Sequence, residues 1–198
     1  MKSTKFTVKI ALFLFLGAFL LSLGLNGALF LKAKQYYWEL NGTRLDPLGL
    51  SFYPPNGVVD EKEEGVITAV FFGDSRAAQW PTPVEIDGYR FINRGIGSQT
   101  SVQVAARFQQ HIVPLKPDVI IVQMCINDLK TIPLFPQKEE AITRNCLANI
   151  DQVLAEAEEI GATVILTTVF PVGDVPLERR LVWSPKTGEA VTAVNQQI

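Results

Sequence analysis

The sequence predicts an α/β fold, a doubly wound parallel sheet preceded by one transmembrane helix. Three observations carry this. Largely apolar runs of strand length, rich in β-branched residues, recur at Val66–Phe72, Asp118–Met124 and Ala162–Val169, as in strands buried on both faces. Segments with helical spacing alternate with them, and a βα-βα order gives parallel pairing by right-handed crossovers. The chain also opens with a long apolar stretch, Ile10–Leu31.

That stretch comes first. Its 22 residues at ~1.5 Å each reach ~33 Å, enough to cross a hydrocarbon core of ~30 Å. Lys2, Lys5 and Lys9 precede it and Lys32 and Lys34 follow, a weak bias toward a cytoplasmic N-terminus. A cleavable signal peptide has a shorter apolar region and a small-x-small site. No Ala-x-Ala follows here, which favours an uncleaved single-pass anchor. Either reading places the remainder in the periplasm or outside the cell. Gln35–Glu64 mixes prolines, glycines and charges without sustained periodicity and reads as a linker. The organisation expected is therefore an anchor over 1–34, a linker over 35–64 and a globular domain over 65–198.

Within the domain, Val66–Phe72 is the first strand and Tyr89–Asn93 a shorter second. Ser101–Val113 has helical spacing, with Val104, Ala105, Phe108 and Ile112 on one face and Pro114 ending it. Asp118–Met124 is the third strand. Lys138–Ile160 is a long helix with Ile142, Cys146, Ile150, Val153, Leu154 and Ala157 inward, stopped by Gly161. Ala162–Val169 is the fourth strand. A last helix starts at Ser184-Pro185, serine at the cap and proline at the first helical position, and is expected to run on to Ile198.

Composition excludes several functions. With 47% hydrophobic residues, 19% charged residues and a net charge of −2, the chain shows no basic face, so nucleic acid is not a partner. Cys125 ends a strand and Cys146 sits in a helix; both read as free thiols. One histidine, His111, is too few for a zinc or iron centre, and neither metal nor cofactor is expected.

In open parallel sheets the ligand site lies beyond the carboxyl ends of the strands. Asp74-Ser75, the polar loop Asn93–Thr100 and Asn127-Asp128 follow the first, second and third strands and fall at that edge. A serine hydroxyl is a weak nucleophile and needs a base and donors for the oxyanion that forms. Ser75 on a turn after a buried strand, with Asn127 after another, suggests nucleophile and donor.

These blocks resemble the SGNH, or GDSL, hydrolases. Phe72-Gly73-Asp74-Ser75-Arg76 is similar to the family's first block. Asn93-Arg94-Gly95-Ile96-Gly97-Ser98-Gln99-Thr100 matches the second and Cys125-Ile126-Asn127-Asp128 the third. The resemblance spans residues 66–198 and implies a flavodoxin-like, three-layer αβα fold. It implies a serine esterase with Ser75 as nucleophile and an acyl-enzyme intermediate. Ser75 N–H, Ser98 N–H and the Asn127 amide would hold the oxyanion, with Asp74 and Gly97 beside them. The substrate would be a small-molecule, glycan or lipid ester, with acetylated carbohydrate one class among these.

The sequence departs from the family in three places. Ser98 stands where the second block has glycine, and its N–H serves if the backbone suits a residue with a Cβ. Cys125 also replaces a glycine. The family's Asp-x-x-His block, which supplies the base, is missing, and the expectation is a fragment that stops before it. His111 reads as a partly exposed helix residue rather than a base. The alternative is a non-catalytic module that binds such esters without turnover. Arg179, Arg180 and Trp183 are weaker candidates for substrate contact, and Trp80 reads as packing.

Overall fold

The computed structural model describes residues 2–53, 64–81, 86–177 and 183–198. Two compact units divide at Pro47 and Leu48. The first is a single helix, α1 (Lys2–Leu45). Val8–Leu45 has a mean hydropathy of 2.3 in its most apolar window, and none of that window is buried against protein. This helix is long and apolar enough to cross a membrane. It continues through residues 35–45, where the sequence shows no sustained periodicity. Tyr36, Tyr37 and Trp38 stand exposed on it.

The second unit is the predicted α/β domain. Four parallel strands, β1 (Ile67–Gly73), β2 (Tyr89–Gly95), β3 (Val119–Gln123) and β4 (Thr163–Leu166), lie in the order β2-β1-β3-β4. β1 is central. Val70, Phe72, Ile120 and Val122 are fully buried, each side chain contributing ~1.5–3 kcal/mol relative to exposure. β4 is shorter than its apolar run, and Ile165 on it is half exposed. Gly73 pairs in register with both Gly95 and Gln123, so three loops leave the sheet at one level.

Between the strands run α2 (Ser75–Ala78), α3 (Ser101–Ala106), α4 (Phe108–His111), α5 (Ile126–Leu129), α6 (Glu139–Glu159) and α7 (Pro185–Asn195). The inward stripe of α6 is as predicted: Cys146, Ile150, Val153 and Ala157 are buried, with Ile142 and Leu154 partly so. The single helix predicted over Ser101–Val113 is instead two, broken at Arg107, although Val104, Ala105, Phe108 and Ile112 are all buried as expected. Short turns at Leu50–Phe52 and Val113–Leu115 complete this region.

Two cysteine and histidine expectations are overturned. Cys125 and Cys146 form a disulfide, their Cα atoms 5.7 Å apart, and no cysteine is free. Cys146 lies on the inward stripe of α6, which packs against α5, and Cys125 stands at the start of α5, so the two side chains meet. His111 is buried at 3% exposure. Its position, i+7 from Val104, falls on the same stripe as the core residues.

Candidate active site

Ser75 opens α2 straight after β1, and this turn depends on two glycines. Gly73 has φ 149°, and a Cβ there would lie 1.7 Å from the Gln123 carbonyl oxygen. A Cβ on Gly95 would lie 2.1 Å from the Ala78 nitrogen, so α2 can sit down on β2 only over a glycine. Asp74 caps α2: its Oδ1 accepts from Arg76 N–H at 2.9 Å. The Asp74 carboxyl is buried, and its Oδ2 has no hydrogen-bond partner among the described residues. Burial pushes its pKa up to about 6. Ser75 is half-buried.

The loop after β2 lies alongside. A Cβ placed on Gly97 would be 3.9 Å from Ser75 Cβ. Ser98 is exposed and has φ 65°, the left-handed conformation that the glycine in its place would favour. The carbonyl of Gln99 accepts from Asn127 Nδ2 at 2.8 Å. Asn127 is buried in α5, and its Oδ1 accepts from Lys130 Nζ. The structure therefore brings Asp74, Ser75, Gly97 and Asn127 together around one loop that carries Ser98.

Asp128 has a different task. Its carboxylate accepts from Ser101 N at 2.8 Å and Ser101 Oγ at 2.7 Å. Ser101 Oγ in turn accepts from Asn149 Nδ2 at 2.8 Å. This chain of bonds ties α5 to α3 and α6. Burial raises the Asp128 pKa, against the lowering effect of the Ser101 bonds.

Behind the site lies a buried polar cluster that pattern reading missed. Arg107 is fully buried. It donates to the Gly73 carbonyl at 2.9 Å and to Gln99 Oε1 at 2.6 Å, and meets His111 Nδ1 at 3.2 Å. Its guanidinium lies 4.6 Å over the Phe72 ring. Burial lowers its pKa to about 10. His111 Nε2 contacts the Leu50 carbonyl at 3.3 Å, and Gln99 Nε2 donates to the Leu48 carbonyl at 2.7 Å. Tyr53 donates to the Gly95 carbonyl at 2.6 Å. His111 is thus part of the scaffold that holds residues 48–53 against the Gln99 loop. The missed signal was periodicity, since Arg107 and His111 sit three and seven residues after Val104 on its stripe.

A cavity of about 230 Å³ opens beside Arg76, the residue after Ser75, and is lined by Ile126, Phe170, Asp174 and Trp183 among others. Trp183 both lines this cavity and packs on the core. Arg179 and Arg180 lie outside the described residues. Trp80 stacks on Phe71 at 5.6 Å. Among the described residues no group of three or more His, Cys, Asp or Glu is placed to hold a metal.

Residues 65–197 match the sequence profile of the GDSL-like lipase/acylhydrolase family. The chain belongs to this family. The fold of this GDSL-type domain agrees with solved structures. A GDSL-like lipase of Bacteroides thetaiotaomicron superposes with a TM-score of 0.55 at 24% identity, covering 70% of this chain and 65% of that one. A Bacteroides fragilis protein assigned as an acylhydrolase gives 0.52 at 23%, covering 70% and 64%. A gut microbial diltiazem-metabolizing enzyme gives 0.51 at 18%, covering 68% and 34%. The chain thus spans less than two thirds of the length of each. A search of curated proteins found no match.

Proposed function

We propose that this GDSL-type domain carries the nucleophile and oxyanion donors of a serine esterase. Ser75 Oγ attacks an ester carbonyl, giving up its proton to a base such as added imidazole. The ester C–O bond breaks, the alcohol leaves with that proton, and water then cleaves the acyl-enzyme to release the acid and restore the serine hydroxyl. The oxyanion is held by Ser75 N–H, Ser98 N–H and the second N–H of Asn127, whose first N–H is engaged by Gln99. The observation that carries this reading is the placement of the Gly97-Ser98 loop between Ser75 and Asn127. Fixed donors around developing charge are the largest single source of such catalysis. The substrate class extends to acylated glycans and lipids, with Arg76 and Trp183 beside the acyl or alcohol portion.

One observation favours a second reading, an ester-binding module without turnover. The one histidine of the 198 residues is buried in the scaffold on Arg107 and Leu50, and so is not placed to serve Ser75. The test supplies the base. The full chain in detergent is assayed with p-nitrophenyl acetate in rising imidazole, beside Ser75→Ala. A Ser75-dependent rate that grows with imidazole supports the esterase reading. Equal rates for the two proteins leave the binding reading.

The location proposed is a single-pass anchor with the domain periplasmic or extracellular. The exposed Tyr36, Tyr37 and Trp38, just beyond the apolar stretch, suit a membrane–water interface. The disulfide suits an oxidising compartment. Protease added to sealed vesicles of known orientation checks this, since only an outward-facing domain is cut.

A further inference from the structure

Cys125 is a buried, non-glycine residue with φ 87° and ψ −24°, two positions before Asn127. Residues with a Cβ seldom adopt positive φ, and persist there when their surroundings over-determine it. Here the surroundings include a covalent bond to Cys146, in the middle of the 21-residue helix α6. The Cys125 carbonyl also closes the first turn of α5, accepting from Asp128 N at 3.0 Å and Leu129 N at 3.1 Å.

α5 has only four residues, too few to be stable alone. It is fastened to α6 on both sides of Asn127. On one side is the disulfide; on the other is the path from Asp128 through Ser101 to Asn149. We propose that the Cys125–Cys146 disulfide is a positioning element for Asn127, holding in left-handed backbone a residue that would otherwise leave it. The bond fixes where α5 begins, and so where the Asn127 amide meets the Gln99 carbonyl and the oxyanion. The inference rests on the reading of Asn127 as an oxyanion donor.

Two double variants of the full chain separate this role from general cross-linking. Cys125→Ala/Cys146→Ala and Cys125→Gly/Cys146→Ala lose the same bond. Only glycine takes positive φ without penalty. In the imidazole-supplemented assay the alanine pair is expected to lose about tenfold or more in the Ser75-dependent kcat with KM little changed, and the glycine pair to return within about threefold of the parent. Amide hydrogen exchange over residues 126–130, read on the same proteins, should rank them in the same order. If the parent shows no Ser75-dependent turnover, the esterase reading fails while the exchange ranking still decides this proposal. An alanine pair with parental kcat and exchange overturns it. So does a glycine pair that falls as far as the alanine pair, which would make the bond merely a staple. If the alanine pair does not fold, a folded glycine pair with unprotected 126–130 amides overturns it and one with parental protection supports it. Denatured, unreduced protein should show no free thiol; two thiols would end the proposal at once.

Discussion

The loops after β2 and β3 each carry a non-glycine residue at positive φ, Ser98 at 65° and Cys125 at 87°, yet they are held by opposite means. Ser98 is exposed, and its neighbour Gln99 is buried and reaches Leu48, Arg107 and Asn127 through three polar bonds. Cys125 is buried between Met124 and Ile126, which offer no polar side chain, and it is held by a covalent bond. A loop at the surface can turn one polar residue inward and be fixed by hydrogen bonds. At Cys125 itself, enclosed by apolar residues, no such handle is at hand and a cross-link takes its place; polar bonds enter only from Asn127 and Asp128 onward.

The strongest way to break this contrast is to remove the cross-link. Cys125→Ala/Cys146→Ala opens a loop of sequence separation 21, which costs about 3 kcal/mol and lowers Tm by roughly 10 °C. Calorimetry on the detergent-solubilised chain measures it. A drop under about 2 °C would mean that the apolar packing around Cys125 suffices by itself.

Asp74 sharpens the polar side of the comparison. Its pKa rises from the ordinary 3.8 to about 6, chiefly through burial, so the folded protein favours the protonated carboxyl. That contribution is full below about pH 4 and is lost as pH rises through about 6, about 3 kcal/mol in all. Asp128 is shifted in the same direction and adds to the slope. Urea unfolding between pH 4 and 7 should show stability falling with pH, and Asp74→Asn should flatten most of that fall. An unchanged slope would assign it to Asp128.

A third substitution tests whether the two loops are independent. Arg107→Lys keeps the charge but loses the planar set of donors that reaches Gly73 and Gln99 together. A buried acceptor left unpaired costs about 1–3 kcal/mol, and about 2 kcal/mol is expected here. Hydrogen exchange should rise over residues 96–100 and stay parental over 126–130. A rise in both segments would show that Gln99 transmits strain to Asn127.

How much of this was legible from sequence follows the same division. The strands, the α6 stripe and the Ser75 and Asn127 blocks were readable because each depends on local periodicity or on adjacent residues. The break at Arg107 was not, since Val104, Phe108 and Ile112 keep helical spacing across it while the guanidinium is drawn to Gly73. The disulfide was missed because pairing depends on how α6 packs against the start of α5, a tertiary fact. The N-terminal apolar stretch was nonetheless read as placing the domain across a membrane, and on that reading two inward cysteines are a pairing signal. His111 was misplaced because a polar residue on an apolar stripe was read as exposed, when residues 48–53 lie over it and supply its partner.

The smallest effect expected is a gain. Ser98→Gly removes the Cβ from a residue at φ 65° that is exposed and so loses no packing. Relief of the left-handed penalty is about 1 kcal/mol, and the larger entropy of glycine in the unfolded chain offsets part of it. A net stabilisation of about 0.5 kcal/mol is expected in urea titration. If the Gln99 bonds alone fix this loop, the Ser75-dependent rate stays parental. If that rate rises instead, the Ser98 N–H was misaligned by its own side chain, and the polar loop would be the looser of the two.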